Sequence, residues 1–96
     1  MTWYLYIVRT VTGALYAGIA TNVRRRYQEH LSGSRKAAKF LRANPPEALV
    51  FKRRIGSHSL ALKVEDRFKR LPKFSKEAIV RTGGLHFDRA TGEILL

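Results

Sequence analysis

The sequence predicts a single small domain of the α/β (α+β) class, and three observations lead there. Two β-rich runs divided by a turn cluster open the chain. Four stretches of helical periodicity follow, with a further β-run among them, and 96 residues suffice for one core but not for two. Apolar residues make up 45% of the chain and aromatic residues 10%, enough to offset the ordering entropy of folding and to exclude an intrinsically disordered chain.

Residues 3–8 are aromatic or β-branched apart from Leu5, residues 10–13 form a turn cluster, and residues 15–19 resume the apolar character, which together read as a β-hairpin. A three-residue loop, with a type I turn over Val11 and Thr12 closed by Gly13 in the left-handed region, pairs Val8 with Tyr16 and Tyr6 with Gly18. Tyr4, Tyr6 and Tyr16 then share one face. A two-residue loop would put Tyr16 on the other face, because a slip of one residue reverses every side chain; Gly13 favours the three-residue form.

Thr21 or Asn22 caps a helix that runs to about Leu31 and ends at Ser32-Gly33, with Val23, Tyr27 and Leu31 as its apolar stripe. Arg26 and His30, four residues apart, border that stripe together, and Arg25 points to solvent. A second, basic helix is expected over residues 35–42, before Asn44-Pro45-Pro46 breaks it, and residues 48–54 read as a third strand. Ser57 or Ser59 starts a helix to Leu71 whose core stripe is Leu60, Ala61, Val64, Phe68 and Leu71, with Glu65 at its edge. A short helix over 75–81 and a C-terminal β-hairpin about Ala90-Thr91-Gly92 complete the chain.

Nineteen Lys and Arg against seven Asp and Glu leave a net charge of +12. Self-repulsion of that size points to a polyanionic partner, and nucleic acid is the expected one. The basic residues occur throughout rather than along one amphipathic helix, which argues against a membrane-surface protein. Cysteine is absent, so disulfides, thiol nucleophiles and cysteine-based zinc sites are excluded. No run approaches the ~18 apolar residues of a membrane span, and the first residues carry no basic targeting signal. A cytoplasmic, nucleoid-associated location is expected.

Tyr4, Tyr6, Tyr16, Tyr27, Arg26, His30 and Glu65 are the residues whose placement an ordinary core does not require. Singly each has a simpler role: packing for a strand tyrosine, a solvated face for Arg24-Arg25-Arg26, a C-terminal dipole partner for His30, a weak ion pair for Glu65. Their order along the chain carries more information. Tyr4-Leu5-Tyr6, Tyr16-Ala17-Gly18, Arg26 ten residues after Tyr16, Glu29-His30 and the segment from Ser59 to Glu65 resemble the GIY-YIG nuclease superfamily, in its small stand-alone single-domain bacterial branch. Both name-giving motifs are degenerate, with Tyr4 in place of the glycine of the first and Ala17 in place of the isoleucine of the second.

The resemblance spans about residues 3–80 of a single domain, 1–96. It implies a central three-stranded antiparallel sheet flanked by helices, and hydrolysis of DNA phosphodiester bonds with one divalent ion, Mg²⁺ or Mn²⁺. Under it Tyr6 and Tyr16 line the cleft, one of them orienting or deprotonating the attacking water. Arg26 holds the scissile phosphate, His30 assists proton transfer and Glu65 binds the metal. Some branches also use an asparagine near the C-terminus. None follows Asn44 here, so that role is absent or falls to a residue such as Lys73 or Lys76.

Elementary chemistry agrees with this cast. Arginine grips two phosphate oxygens at once, and a single carboxylate is compatible with Mg²⁺, which keeps several waters and takes further ligands from phosphate. A phenol is a poor base at neutral pH unless a neighbour favours its phenolate. Arg24, Arg25, Arg35, Lys36, Lys39 and the run Lys52-Arg53-Arg54 are expected to contact phosphates without reading sequence. The expected function is therefore a structure-selective DNA endonuclease of repair or recombination, acting on branched or single-stranded DNA and working with a protein partner. The competing reading is a DNA- or RNA-binding module that keeps the fold and has lost turnover.

Overall fold

The computed structural model describes residues 1–96. Strands β1 (Trp3–Thr10), β2 (Leu15–Ala20) and β3 (Pro46–Gly56) form one antiparallel sheet in the order β2-β1-β3. Helices α1 (Val23–Ser32) and α2 (Lys39–Ala43) join β2 to β3, and α3 (His58–Arg70) and α4 (Lys73–Thr82) follow. Strands β4 (His86–Phe87) and β5 (Ile94–Leu95) make the expected C-terminal hairpin. No helix is long and apolar enough to cross a membrane.

The central strand β1 is buried on both faces, which is why its sequence runs almost unbroken in apolar residues instead of alternating with polar ones. Leu5 and Ile7 point into a core shared with Ala61, Val64 and Phe68 of α3 and Ile79 of α4. Tyr6 and Val8 point the other way, into a smaller cluster with Val23 of α1 and Leu41 of α2. The two helical pairs thus cover opposite faces of the sheet.

The hairpin register is the one the three-residue loop dictates: Val8 faces Tyr16, Tyr6 faces Gly18 and Tyr4 faces Ala20. Gly13 has φ +87°, and its amide bonds to the Thr10 carbonyl at 2.9 Å, closing the turn. The tip is then tied to α4. Arg9 donates both guanidinium arms to Glu77 at 2.7 and 2.9 Å, and Lys73 reaches the Gly13 carbonyl at 3.1 Å.

Two helices differ from the sequence reading. The second covers only Lys39–Ala43, not residues 35–42. The Ser34 hydroxyl accepts the Lys36 amide, and the Ser34 carbonyl accepts the Ala37 amide, so residues 34–37 form a turn, and Ala38 at ψ 140° separates it from the helix. In α1, capped by the Asn22 side chain, Leu31 is 47% exposed and His30 is buried in its place. The ring of His30 is bonded on both nitrogens, by Tyr6 of the sheet and by the Ala38 amide, which a stripe drawn from apolar residues alone does not anticipate. Elsewhere the limits shift by one or two residues: Ser57 caps α3, α4 begins at Lys73, and β3 extends to Pro46–Gly56.

Phe68 is the largest fully buried side chain that α3 sends into the main core. Phe68→Ala is expected to cost about 3–5 kcal/mol, read as a lower urea midpoint with an unchanged slope.

Candidate active site

Tyr6 lies on the central strand, and its ring extends across the neighbouring strand β2 over Gly18. A Cβ at that glycine would sit 2.5 Å from the Tyr6 hydroxyl oxygen and 2.6 Å from its Cζ, so only glycine leaves room for the ring. The Tyr6 oxygen ends 2.7 Å from Nε2 of His30, and both side chains are buried to 1% exposure. Tyr16 completes the group: its ring centroid is 5.6 Å from that of His30 and 6.5 Å from that of Tyr6, and Phe40 of α2 stacks on it at 6.1 Å.

Arg26, one helical turn before His30, donates to Glu29 at 2.9 Å and to the Lys36 carbonyl. It also lines a cleft of about 230 Å³ with Trp3, Ile19, Thr21, Asn22 and Arg25. Glu65 approaches from α3, on the far face of the sheet. Its side chain is 18% exposed and its ion pair is with Lys69 at 3.4 Å. The Tyr6 phenol is pushed above its ordinary pKa, chiefly by burial and then by Tyr16; Glu65 adds to the rise and Arg26 opposes it.

The structure thus brings Tyr6, Tyr16 and His30 together on the face covered by α1 and α2, with Arg26 one turn before His30, while Glu65 stands on α3 beside Lys69. No group of three or more His, Cys, Asp or Glu side chains is placed to hold a metal. A lone carboxylate of low exposure fits a hydrated Mg²⁺ or Mn²⁺ whose other ligands are water and substrate oxygens, and does not fit a closed protein cage.

Of the expected phosphate contacts, Arg24, Arg25, Arg35, Lys36, Lys39 and Arg54 are exposed. Arg53 is not free for that role. It pairs with Leu5 on the opposite face of the sheet, donates to the Leu85 carbonyl at 2.6 Å and lies over the Phe87 ring. Lys52 and Arg54 pair with Tyr6 and Tyr4, and Lys52 sits over the Tyr4 ring, so these two carry the run's charge to the tyrosine face. Lys73 is held by Gly13 and Glu77, and Lys76 lies over Phe68. Sequence reasoning missed Phe40, an aromatic residue in a basic segment, and the amide of Ala38, which donates to Nδ1 of His30 at 3.2 Å and leaves no trace in residue identity.

The model of the GIY-YIG catalytic domain matches residues 2–78. The chain belongs to the GIY-YIG family. It is 51% identical over 81 residues to the UPF0213 protein of Citrobacter koseri, covering 84% of this chain and 79% of that one. Against the UPF0213 protein YhbQ of Escherichia coli the identity is 49% over 81 residues, with the same coverage. The solution NMR structure of the UPF0213 protein BH0048 from Bacillus halodurans superposes with a TM-score of 0.55 at 36% identity, over 88% of this chain and 87% of that one.

The buried histidine of this GIY-YIG site makes stability depend on pH. Its pKa is pushed down to about 4, first by burial and then by the Arg26 charge, against an opposing pull from Glu29. Between that value and the ordinary 6.5 the unfolded chain binds a proton that the folded chain refuses. The contribution of His30 is complete above about pH 6.5 and falls away as pH drops toward 4, by on the order of 3 kcal/mol. Denaturant midpoints recorded from pH 7 down to 5 should fall for the wild type, with a clearly flatter trend in His30→Gln.

Proposed function

We propose that this protein is a metal-dependent endonuclease that hydrolyses phosphodiester bonds in DNA. The observation that carries the reading is the joined group of Tyr6, His30 and Tyr16, with a 2.7 Å Tyr6–His30 hydrogen bond and Arg26 one helical turn before His30, in a chain of the GIY-YIG family. A module that only binds nucleic acid needs basic charge and has no use for a buried tyrosine–histidine pair.

Arg26 receives the scissile phosphate. Its ion pair with Glu29 is a part-exposed i,i+3 pair worth at most about 1 kcal/mol, so a phosphate oxygen displaces Glu29 readily, while the Lys36 carbonyl still holds the guanidinium. Tyr6 and Tyr16 fix the attacking water, and the one that takes its proton does so as a phenolate, its own hydroxyl proton having first passed to solvent. Glu65 holds Mg²⁺ or Mn²⁺, which when bound supplies charge stabilisation at the phosphoryl oxygens and the leaving oxygen. Arg24, Arg25, Arg35, Lys36, Lys39, Lys52 and Arg54 hold the substrate backbone. Contacts of that kind position a strand without reading bases, which supports selection by DNA structure, branched or single-stranded, over selection by sequence. Repair or recombination at the nucleoid, with a protein partner, is the setting that suits such an activity.

The test is cleavage of labelled branched, flap, single-stranded and duplex DNAs with and without Mg²⁺ or Mn²⁺. Metal-dependent products are expected from the wild type, and Glu65→Gln should bind the same DNAs at least as tightly and cut none. Undiminished cleavage by Glu65→Gln moves the metal to another residue, and binding without cleavage by the wild type makes the chain a binding module.

Binding itself should be governed by salt. Six or more phosphate contacts imply a loss of affinity of roughly 10³-fold or more between 50 and 200 mM salt, measured by fluorescence anisotropy on oligonucleotides of unrelated sequence.

A further inference from the structure

The two ring nitrogens of His30 have different partners, and one partner fixes the state of the ring. Nδ1 receives the backbone amide of Ala38 at 3.2 Å. A backbone N–H can only donate, so Nδ1 carries no proton. The ring is enclosed at 1% exposure beside the Arg26 guanidinium, which keeps the imidazole neutral at pH 7. A neutral imidazole with a bare Nδ1 bears its single proton on Nε2, and Nε2 faces the Tyr6 oxygen at 2.7 Å.

We infer that His30 is a hydrogen-bond donor to the Tyr6 oxygen, a positioning residue whose tautomer is set by the Ala38 amide, and not the acceptor of a proton from Tyr6. The inference deepens the nuclease reading and rests on it for its catalytic meaning; the hydrogen-bond direction stands without it. With Nε2–H aimed at the phenol oxygen, the hydroxyl proton of Tyr6 points away from the histidine. The N–H favours any negative charge that develops on that oxygen. No proton passes between the two residues, so His30 acts through Tyr6 without touching substrate.

Removing the other partner separates the two contacts. Tyr6→Phe keeps the ring over Gly18, deletes the oxygen that Nε2 faces and leaves the Ala38 amide on Nδ1. His30→Gln keeps an N–H donor and an oxygen acceptor but cannot carry a proton.

Long-range ¹H–¹⁵N correlation of the histidine rings at pH 7 reads the tautomer directly. The wild type should show His30 with a bare Nδ1 and a protonated Nε2, and Tyr6→Phe should keep that form, because the Ala38 amide still donates to Nδ1. A protonated Nδ1 in the wild type, or a shift to the Nδ1–H form in Tyr6→Phe, overturns the inference. On a substrate that the wild type cleaves, His30→Gln should retain turnover to within about tenfold, whereas loss of a residue that carries the proton costs about 10²–10⁴-fold. A loss of that larger size in a folded His30→Gln also overturns it. Absence of cleavage by the wild type on every DNA refutes the nuclease reading alone, because the ring measurement does not depend on activity.

Discussion

A side chain on Gly18 would occupy the space that the Tyr6 ring fills, with its Cβ 2.5 Å from the phenol oxygen. Because β2 is bare at that point, a tyrosine from the central strand can lie flat across its neighbour and bring its hydroxyl to His30. The pairing of Tyr6 with Gly18 depends in turn on the hairpin register, and the register depends on Gly13 closing the turn at φ +87°. A slip of one residue would put Tyr16 on the opposite face and a side chain under the Tyr6 ring.

The sheet also explains why the site draws on distant parts of the chain. Its central strand is covered on both faces, by α1 and α2 on one side and by α3 and α4 on the other. Arg26 and His30 come from the first layer and Glu65 from the second. The edge strand carries no side chain at the crossing point, so the tyrosine of the central strand reaches the residues of the first layer across it.

Much of this was legible in the sequence where one local rule governs one element. Gly13 in the turn, the oxygen-bearing residue before α1 and the serine before α3 each fix a boundary or a register through hydrogen bonds of short range. The readings failed where two partners compete. Leu31 continues the stripe of α1 toward the sheet, yet His30 is enclosed instead, with its two ring nitrogens taken by Tyr6 and the Ala38 amide. Residues 34–37 have helix-forming composition, but the serine hydroxyl and carbonyl capture the amides a first helical turn would need. Arg53 was legible in principle: alternation along β3 sends it to the opposite face from Lys52 and Arg54. The Ala38 amide was not, because every residue except proline presents the same group.

The first turn of α1 holds Arg24 and Arg25 with Arg26 just beyond, and it contains no acidic residue. Cations at that end of a helix face the positive pole of its dipole, an adverse placement of about 0.3–1 kcal/mol each at low ionic strength. Added to a net charge of +12, this leaves part of the folding free energy in the hands of whatever anions surround the molecule. A polyanion that binds these clustered arginines more tightly in the folded form than along the unfolded chain must, by linkage, hold the fold more firmly. The thermal midpoint of this domain is therefore a property of chain and counterions jointly.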